Sequence, residues 1–209
     1  RLAGRECYGG LDLASTRDMN ALSLFFPGAD GEPHRSLSFF WCPEDQAKER
    51  NQDADYLQWA ADEYLRLTPG NVTDYNWLKA DILELAEKYD IRSIAFDRWN
   101  SSQLVIDLQE EGLTMEPFGQ GFGSMTAPTK EMEKMIMGKE LNPGINPIMR
   151  WMMSNVEIRM DPAENVKIDK SRSVEKVDGP VSLVMAIGEW MDKGRDPASN
   201  YKERGIIYI

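Results

Sequence analysis

The sequence predicts an α/β fold whose mixed sheet, three antiparallel strands followed by parallel ones, carries helices on both faces and a C-terminal β-hairpin plus helix. Three observations predict it. Residues 7–42 hold three short β-rich runs joined by connections too short for crossovers. From about residue 75 onward, helical periodicity alternates with short apolar runs, the pattern of strands linked through helices. The composition is 42% hydrophobic, 10% aromatic and 28% charged over 209 residues, that of one globular domain able to bury a core without disulfide or metal staples.

The first three strands are expected at 7–13 (CYGGLDL), 20–26 (NALSLFF) and 36–42 (SLSFFWC), with turns at 15–18 and 27–31. A polar stretch follows, then a helix near 55–67 with Leu57, Ala61, Tyr64 and Leu65 on one face. In a stronger helix at 75–89, Leu78, Ile82, Leu85 and Tyr89 form a stripe suited to packing on a sheet. Residues 91–97 read as a buried strand reached by that crossover, hence parallel to a strand of the meander. Ser101 can cap a helix running through Glu111 and stopped by Gly112, and 113–118 is another short strand. Pro128 in a first turn and Gly138 beyond the last bracket the next helix, and Pro147 begins a short one with Trp151. Val156, Ile158 and Met160 alternate before a turn at Asp161-Pro162 and a return through Val166 and Ile168. Pro180 starts the last helix, striped by Val181, Val184, Ile187 and Met191. This order is that of a ribonuclease H-like fold.

Charge and residue inventory narrow the chemistry. Lys and Arg number 24 against 35 Asp and Glu, giving a net charge of −11, with one His and two Cys. One His and two distant Cys cannot furnish the usual zinc site. Cys7 and Cys42, without CxxC spacing, read as buried reduced thiols, and His34 as a solvated loop residue. Any reaction must run on carboxylates, lysines, hydroxyls or a metal held by oxygen. Residues 1–119 carry 11 basic and 22 acidic side chains, 120–176 carry 9 and 8, and 177–209 carry 4 and 5, so the middle segment is the least anionic, and a local basic surface there would suffice to meet phosphate. No run approaches the ~18 apolar residues of a membrane span. The expected setting is cytoplasmic, without membrane partners.

Three acids stand out by location. Asp12 lies in the first strand, Asp97 ends the strand after the crossover, and Asp178 immediately precedes the last helix. Taken singly they read as a strand-end acid, a turn acid and an N-cap. If the first two strands are parallel neighbours about 4.8 Å apart, however, the acids reach one sheet edge. Converging carboxylates repel unless a cation neutralises them, and hard oxygen ligands select Mg²⁺ or Mn²⁺. Two such ions about 4 Å apart would bind a phosphodiester, one activating water and the other stabilising the leaving oxygen.

At these residues the sequence resembles a known family. Gly10-Leu11-Asp12-Leu13-Ala14-Ser15 with Asp18, Phe96-Asp97-Arg98-Trp99 and Gln120-Gly121-Phe122 are followed by Asn146-Pro147 through Arg150-Trp151-Met152 to Asn155. Lys176-Val177-Asp178-Gly179 with Ala186 completes a pattern similar to the nuclease domain of tailed-phage terminase large subunits, covering about residues 7–192. The resemblance implies a ribonuclease H-like fold, two divalent metals on Asp12, Asp97 and Asp178, and cleavage of concatemeric viral double-stranded DNA during packaging in the bacterial host cytoplasm. It also implies partnership with the terminase small subunit and portal through the full-length protein. The family often carries a His shortly before the Asn-Pro; here the run is Leu141-Asn142-Pro143-Gly144-Ile145.

No GxxxxGK[ST] loop occurs, so DNA translocation is expected of an ATPase domain preceding Arg1, and 1–209 reads as one nuclease domain with a tail at 193–209. Further candidates are Asp18, Lys170 and Lys176 as supports of the acids, and Lys130, Lys134, Lys139, Arg150 and Arg172 as a DNA-tracking set. The segment 119–124 reads as a mobile loop beside the metals. Competing readings are a non-catalytic module docking on DNA or portal, a resolvase-like nuclease of the same fold, and an acid-base glycosidase.

Overall fold

The structure, a computed structural model, describes residues 2–13, 18–29, 31–98, 103–173 and 175–194. Ala14, Ser15, Trp99, the expected Ser101 cap and the tail beyond 194 lie outside the described residues.

β1 (Glu6–Asp12), β2 (Asn20–Phe26) and β3 (His34–Pro43) form the expected antiparallel meander. α1 (Glu44–Arg50), α2 (Tyr56–Ala61), β4 (Leu65–Thr68) and α3 (Tyr75–Lys88) lead to β5 (Asp90–Asp97), which pairs parallel with β1. Then come α4 (Gln103–Glu110), β6 (Met115–Phe118), α5 (Phe122–Met137), β7 (Leu141–Asn142) and α6 (Pro147–Ser154). The hairpin β8 (Ile158–Met160) and β9 (Val166–Ile168) precedes α7 (Asp178–Lys193). The main sheet runs β4-β3-β2-β1-β5-β6, with β7 against β3. The mixed sheet, its helices and the C-terminal hairpin are those the sequence predicts.

Alternation along the strands creates two cores. Cys7, Leu11, Leu22, Leu24, Ile94 and Phe96 point to the face covered by α3 and α4. Tyr8, Phe25, Phe40 and Ala95 point to the face covered by α5, α6 and α7. By the same alternation Asp12 and Asp97 face α7. That helix lies directly on β1: a Cβ at Gly10 would stand 2.0 Å from the Ser182 carbonyl oxygen and 2.6 Å from the Ala186 nitrogen. Gly10 is therefore required for the approach. Beneath the helix, Ser182 Oγ shares hydrogen bonds of 2.7 Å with Ser23 Oγ, which in turn meets Ser38 Oγ at 2.8 Å, so the buried hydroxyls satisfy one another.

Several local expectations are corrected. The helix expected at 55–67 stops at Ala61, and Leu65–Thr68 is instead a strand that completes the free edge of β3. Glu63, at φ 62°, turns the chain between them, and Leu57 is 40% exposed while Tyr56 and Trp59 are buried. The polar stretch before it contains α1, which buries only Ala47 and so leaves no apolar stripe to read. Pro128 is not in a first turn: α5 starts at Phe122 and takes in half of the expected loop at 119–124. The chain tolerates this interior proline because its ring is buried and packs beside Gly188 of α7. Val177, not Asp178, is the N-cap of α7, leaving Asp178 in the first turn. His34 is no solvated loop residue; its ring lies 5.2 Å from those of Phe25 and Trp190, and Nδ1 accepts a hydrogen bond from the Gly28 amide. Cys7 and Cys42 are buried free thiols, as expected, and burial pushes both up to about 12.

Candidate active site

Parallel pairing places the ends of β1 and β5 side by side. Leu11 is opposite Phe96, so the next residues, Asp12 and Asp97, close adjacent strands on the α7 face. Asp12 is completely buried whereas Asp97 is half-buried at the rim. Asp178 enters from above in the first turn of α7, which Gly10 and Gly179 hold against the sheet; a Cβ at Gly179 would meet the Phe40 ring at 3.0 Å. The strand pair and the helix thus direct three acids to one end of the sheet.

A buried carboxylate must be compensated, and Asp12 is. Lys170 Nζ stands 2.8 Å from Asp12 Oδ1 and 2.6 Å from Oδ2, and Gln120 Nε2 donates to Oδ1 at 2.9 Å. The same ammonium lies 3.9 Å from Asp178 Oδ1. Burial lowers the Lys170 pKa, but Asp12, Asp178 and Asp97 together outweigh it and hold the group above its ordinary value. Asp178 is less well served. Its Oδ2 is buried without a hydrogen-bond partner, and burial reinforced by the Asp12 charge pushes its pKa up to about 7. Asp18 adds to that rise and Lys176 opposes it; these two form an ion pair with each other beside the site. Asp18 also accepts the Met19 amide at 2.8 Å.

One buried acid, Asp12, and one partly buried acid, Asp178, whose Oδ2 is buried and unpartnered, form an all-oxygen donor set of the kind that suits a hard divalent cation. Among the described residues no group of three or more His, Cys, Asp or Glu side chains is placed to hold a metal ion, so Asp97 does not complete a three-acid cluster with Asp12 and Asp178. The cation on Asp12 and Asp178 here is the lysine.

Residues 1–193 match the family model of the terminase large subunit endonuclease domain. The chain belongs to the terminase large subunit endonuclease domain family. It is 34% identical over 188 residues to the terminase large subunit of Enterobacteria phage HK97, covering 88% of this chain and 37% of that protein. It is 29% identical over 199 residues to protein YmfN of Escherichia coli K12, covering 90% and 44%. The chain therefore spans less than half the length of these curated relatives. Among solved structures, the HK97 large terminase superposes with a TM-score of 0.83 at 33% identity over 90% of this chain and 40% of that one. The large terminase nuclease of thermophilic phage G20c shares the fold at a TM-score of 0.58 and 12% identity, covering 88% and 83%. A magnesium-bound structure of the G20c nuclease gives 0.54 at 12% identity, covering 90% and 84%.

In this terminase domain the five cations expected to track DNA have different immediate surroundings. Lys130 donates to the Glu164 carbonyl at 3.2 Å, Lys134 lies 3.8 Å from Glu131, and Arg172 lies 3.9 Å from Asp169. Lys139 and Arg150 instead line a largely apolar groove with Ile145 and Met149. Three further contributors carry no sequence signal that assigns them to the site. Gln120 was visible in a family motif, but its hold on Asp12 depends on a loop meeting β1. Arg159 and Lys167, on the β8–β9 hairpin, line a cavity of about 250 Å³ with Gln120 and Lys170. Lys167 donates to the Gln120 carbonyl at 3.4 Å and sits 5.4 Å from the Phe122 ring centre. Their position is set by the hairpin packing on α5, where Thr126 Oγ1 bridges to the Val166 backbone.

Proposed function

We propose that this chain is a divalent-metal-dependent endodeoxyribonuclease that cuts concatemeric viral double-stranded DNA during genome packaging, with Asp12, Asp97 and Asp178 as its metal-holding residues. The observation that carries this reading is the pairing of buried Asp12 and partly buried Asp178 through Lys170 at the end of the central strands of a terminase endonuclease domain, with Asp178 Oδ2 unpartnered. When bound there, Mg²⁺ or Mn²⁺, two ions per site, would supply Lewis acidity toward water and toward the phosphodiester. The protein's own contribution is positional and electrostatic. Gln120 holds one oxygen of Asp12 and so orients the other, and α7 carries Asp178 to the strand ends. Arg159 and Lys167 supply positive charge beside a chain whose net charge is −11. The small subunit and portal are proposed partners of the longer protein, acting in the host cytoplasm. No helix of the described residues is long and apolar enough to cross a membrane.

The test is a supercoiled-plasmid assay. Nicking and linearisation with Mg²⁺ or Mn²⁺, absent in EDTA and indifferent to ATP, is the expected result. Cleavage that survives chelation removes the metal mechanism, and absence of cleavage together with retained DNA binding favours a non-catalytic docking module.

A further inference from the structure

Lys170 raises a problem for the proposed metal centre on which this inference rests: its ammonium lies within hydrogen-bond distance of both oxygens of Asp12. The same carboxylate face cannot serve an ammonium and a divalent ion at once. With both carboxylates ionised, Asp12 and Asp178 repel across a poorly solvated site, and a neighbouring positive charge offsets that repulsion. We propose that Lys170 is a displaceable internal cation, holding Asp12 and Asp178 together in the metal-free protein and giving up its place when divalent ions bind.

The surrounding structure suits an exchange. The lysine backbone is held in a turn organised by Asp169, whose Oδ1 accepts from the Ser171 amide at 2.9 Å and from Ser171 Oγ at 2.6 Å, while its carbonyl accepts the Ser173 amide at 3.0 Å. The side chain, in contrast, keeps 41% of its surface open to solvent, so it can leave by rotation without backbone rearrangement. Asp12 retains its Gln120 hydrogen bond when the lysine departs, and its orientation is preserved. Once displaced, the ammonium stays tethered at the cavity lined by Arg159 and Lys167, where it adds charge facing a phosphate.

The experiment measures Mn²⁺ binding by calorimetry at pH 8 and thermal unfolding in EDTA for the wild type, Lys170→Gln and Lys170→Arg. Removing the competitor should tighten Mn²⁺ binding on the order of tenfold in Lys170→Gln and lower its unfolding temperature in EDTA. Lys170→Arg, which keeps a cation, should remain near wild type in both. Equal or weaker Mn²⁺ affinity in Lys170→Gln overturns the proposal while leaving the metal centre standing. Failure of the wild type and Lys170→Gln alike to bind Mn²⁺ overturns the metal centre and this inference with it. Should Lys170→Gln not fold, acetic anhydride labelling of wild-type Lys170, read by peptide mass, decides: several-fold faster labelling with saturating Mn²⁺ is expected, and an unchanged rate overturns displacement.

Discussion

Asp178 sits under opposing demands. In the proposed role of metal ligand it would have to be ionised, yet burial and the charge of Asp12 hold its pKa up at about 7. Because the folded value exceeds the ordinary 3.8, this group stabilises the metal-free fold below about pH 4 and that contribution is lost as pH rises through about 7. Mn²⁺ binding has the opposite dependence, since the proton must leave first, so affinity should strengthen as pH rises through the same range. Titration calorimetry between pH 6 and 8 checks this, and a flat profile assigns the proton elsewhere. Asp178→Asn should flatten the EDTA stability profile between about pH 4 and 7. At the rim, Asp97→Asn should abolish plasmid nicking while leaving the metal-free protein as stable as wild type or more so, because neutralising one of several acids relieves repulsion. Equal Mn²⁺-induced stabilisation of mutant and wild type, or near wild-type nicking, would reduce Asp97 to a turn acid.

The element that brings the acids together is α7, and its seat on β1 depends on an absent side chain. Gly10→Ala would drive a Cβ to 2.0 Å from the Ser182 carbonyl, a backbone atom that cannot rotate aside. Overpacking of this kind costs about 1–3 kcal/mol or more, and displacement of the helix moves Asp178 from Asp12. Gly10→Ala should therefore lose both denaturant stability and Mn²⁺ affinity. Stability lost with affinity intact would show that α7 does not set the metal geometry. The hairpin acts more locally. β8 and β9 form their own sheet, docked on α5 through Thr126, and they deliver Lys167, Arg159 and, one turn later, Lys170.

At the scale of the molecule, an acidic protein with a net charge of −11 must engage a polyanion through a local patch. We propose Arg159 and Lys167 for that patch, because they share a cavity with Gln120 and Lys170, the two side chains that contact Asp12, whereas Lys134 and Arg172 each lie near an acid of their own segment. The double substitution Arg159→Gln with Lys167→Gln should weaken DNA binding and reduce the steepness of its salt dependence by up to about 2 in the log–log slope. Filter binding over a salt series with Ca²⁺ or EDTA to suppress cleavage measures it. An unchanged slope would place the phosphate contacts on another face.

Sequence alone determined the parts governed by local pattern. The meander strands, α3, β5, the β8–β9 hairpin and α7 were readable because alternation or a helical stripe reports burial directly, and the order of these elements implies which strands end together. Asp12, Asp97 and Asp178 were legible for the same reason: each sits at the end of an element whose neighbour topology dictates. Tertiary structure decided what no stripe records. β4 was read as helix because its residues pair with the edge of β3 across a crossover, and α1 was passed over because it buries a single alanine. Pro128 misled because the space for it lies on α7, about sixty residues away along the chain. Lys170 meets Asp12 across 158 residues, and Gln120 meets it across 108; such contacts depend on how layers pack, which local propensity does not encode. Sequence thus singled out the candidate acids, while packing decided that a lysine stands between Asp12 and Asp178.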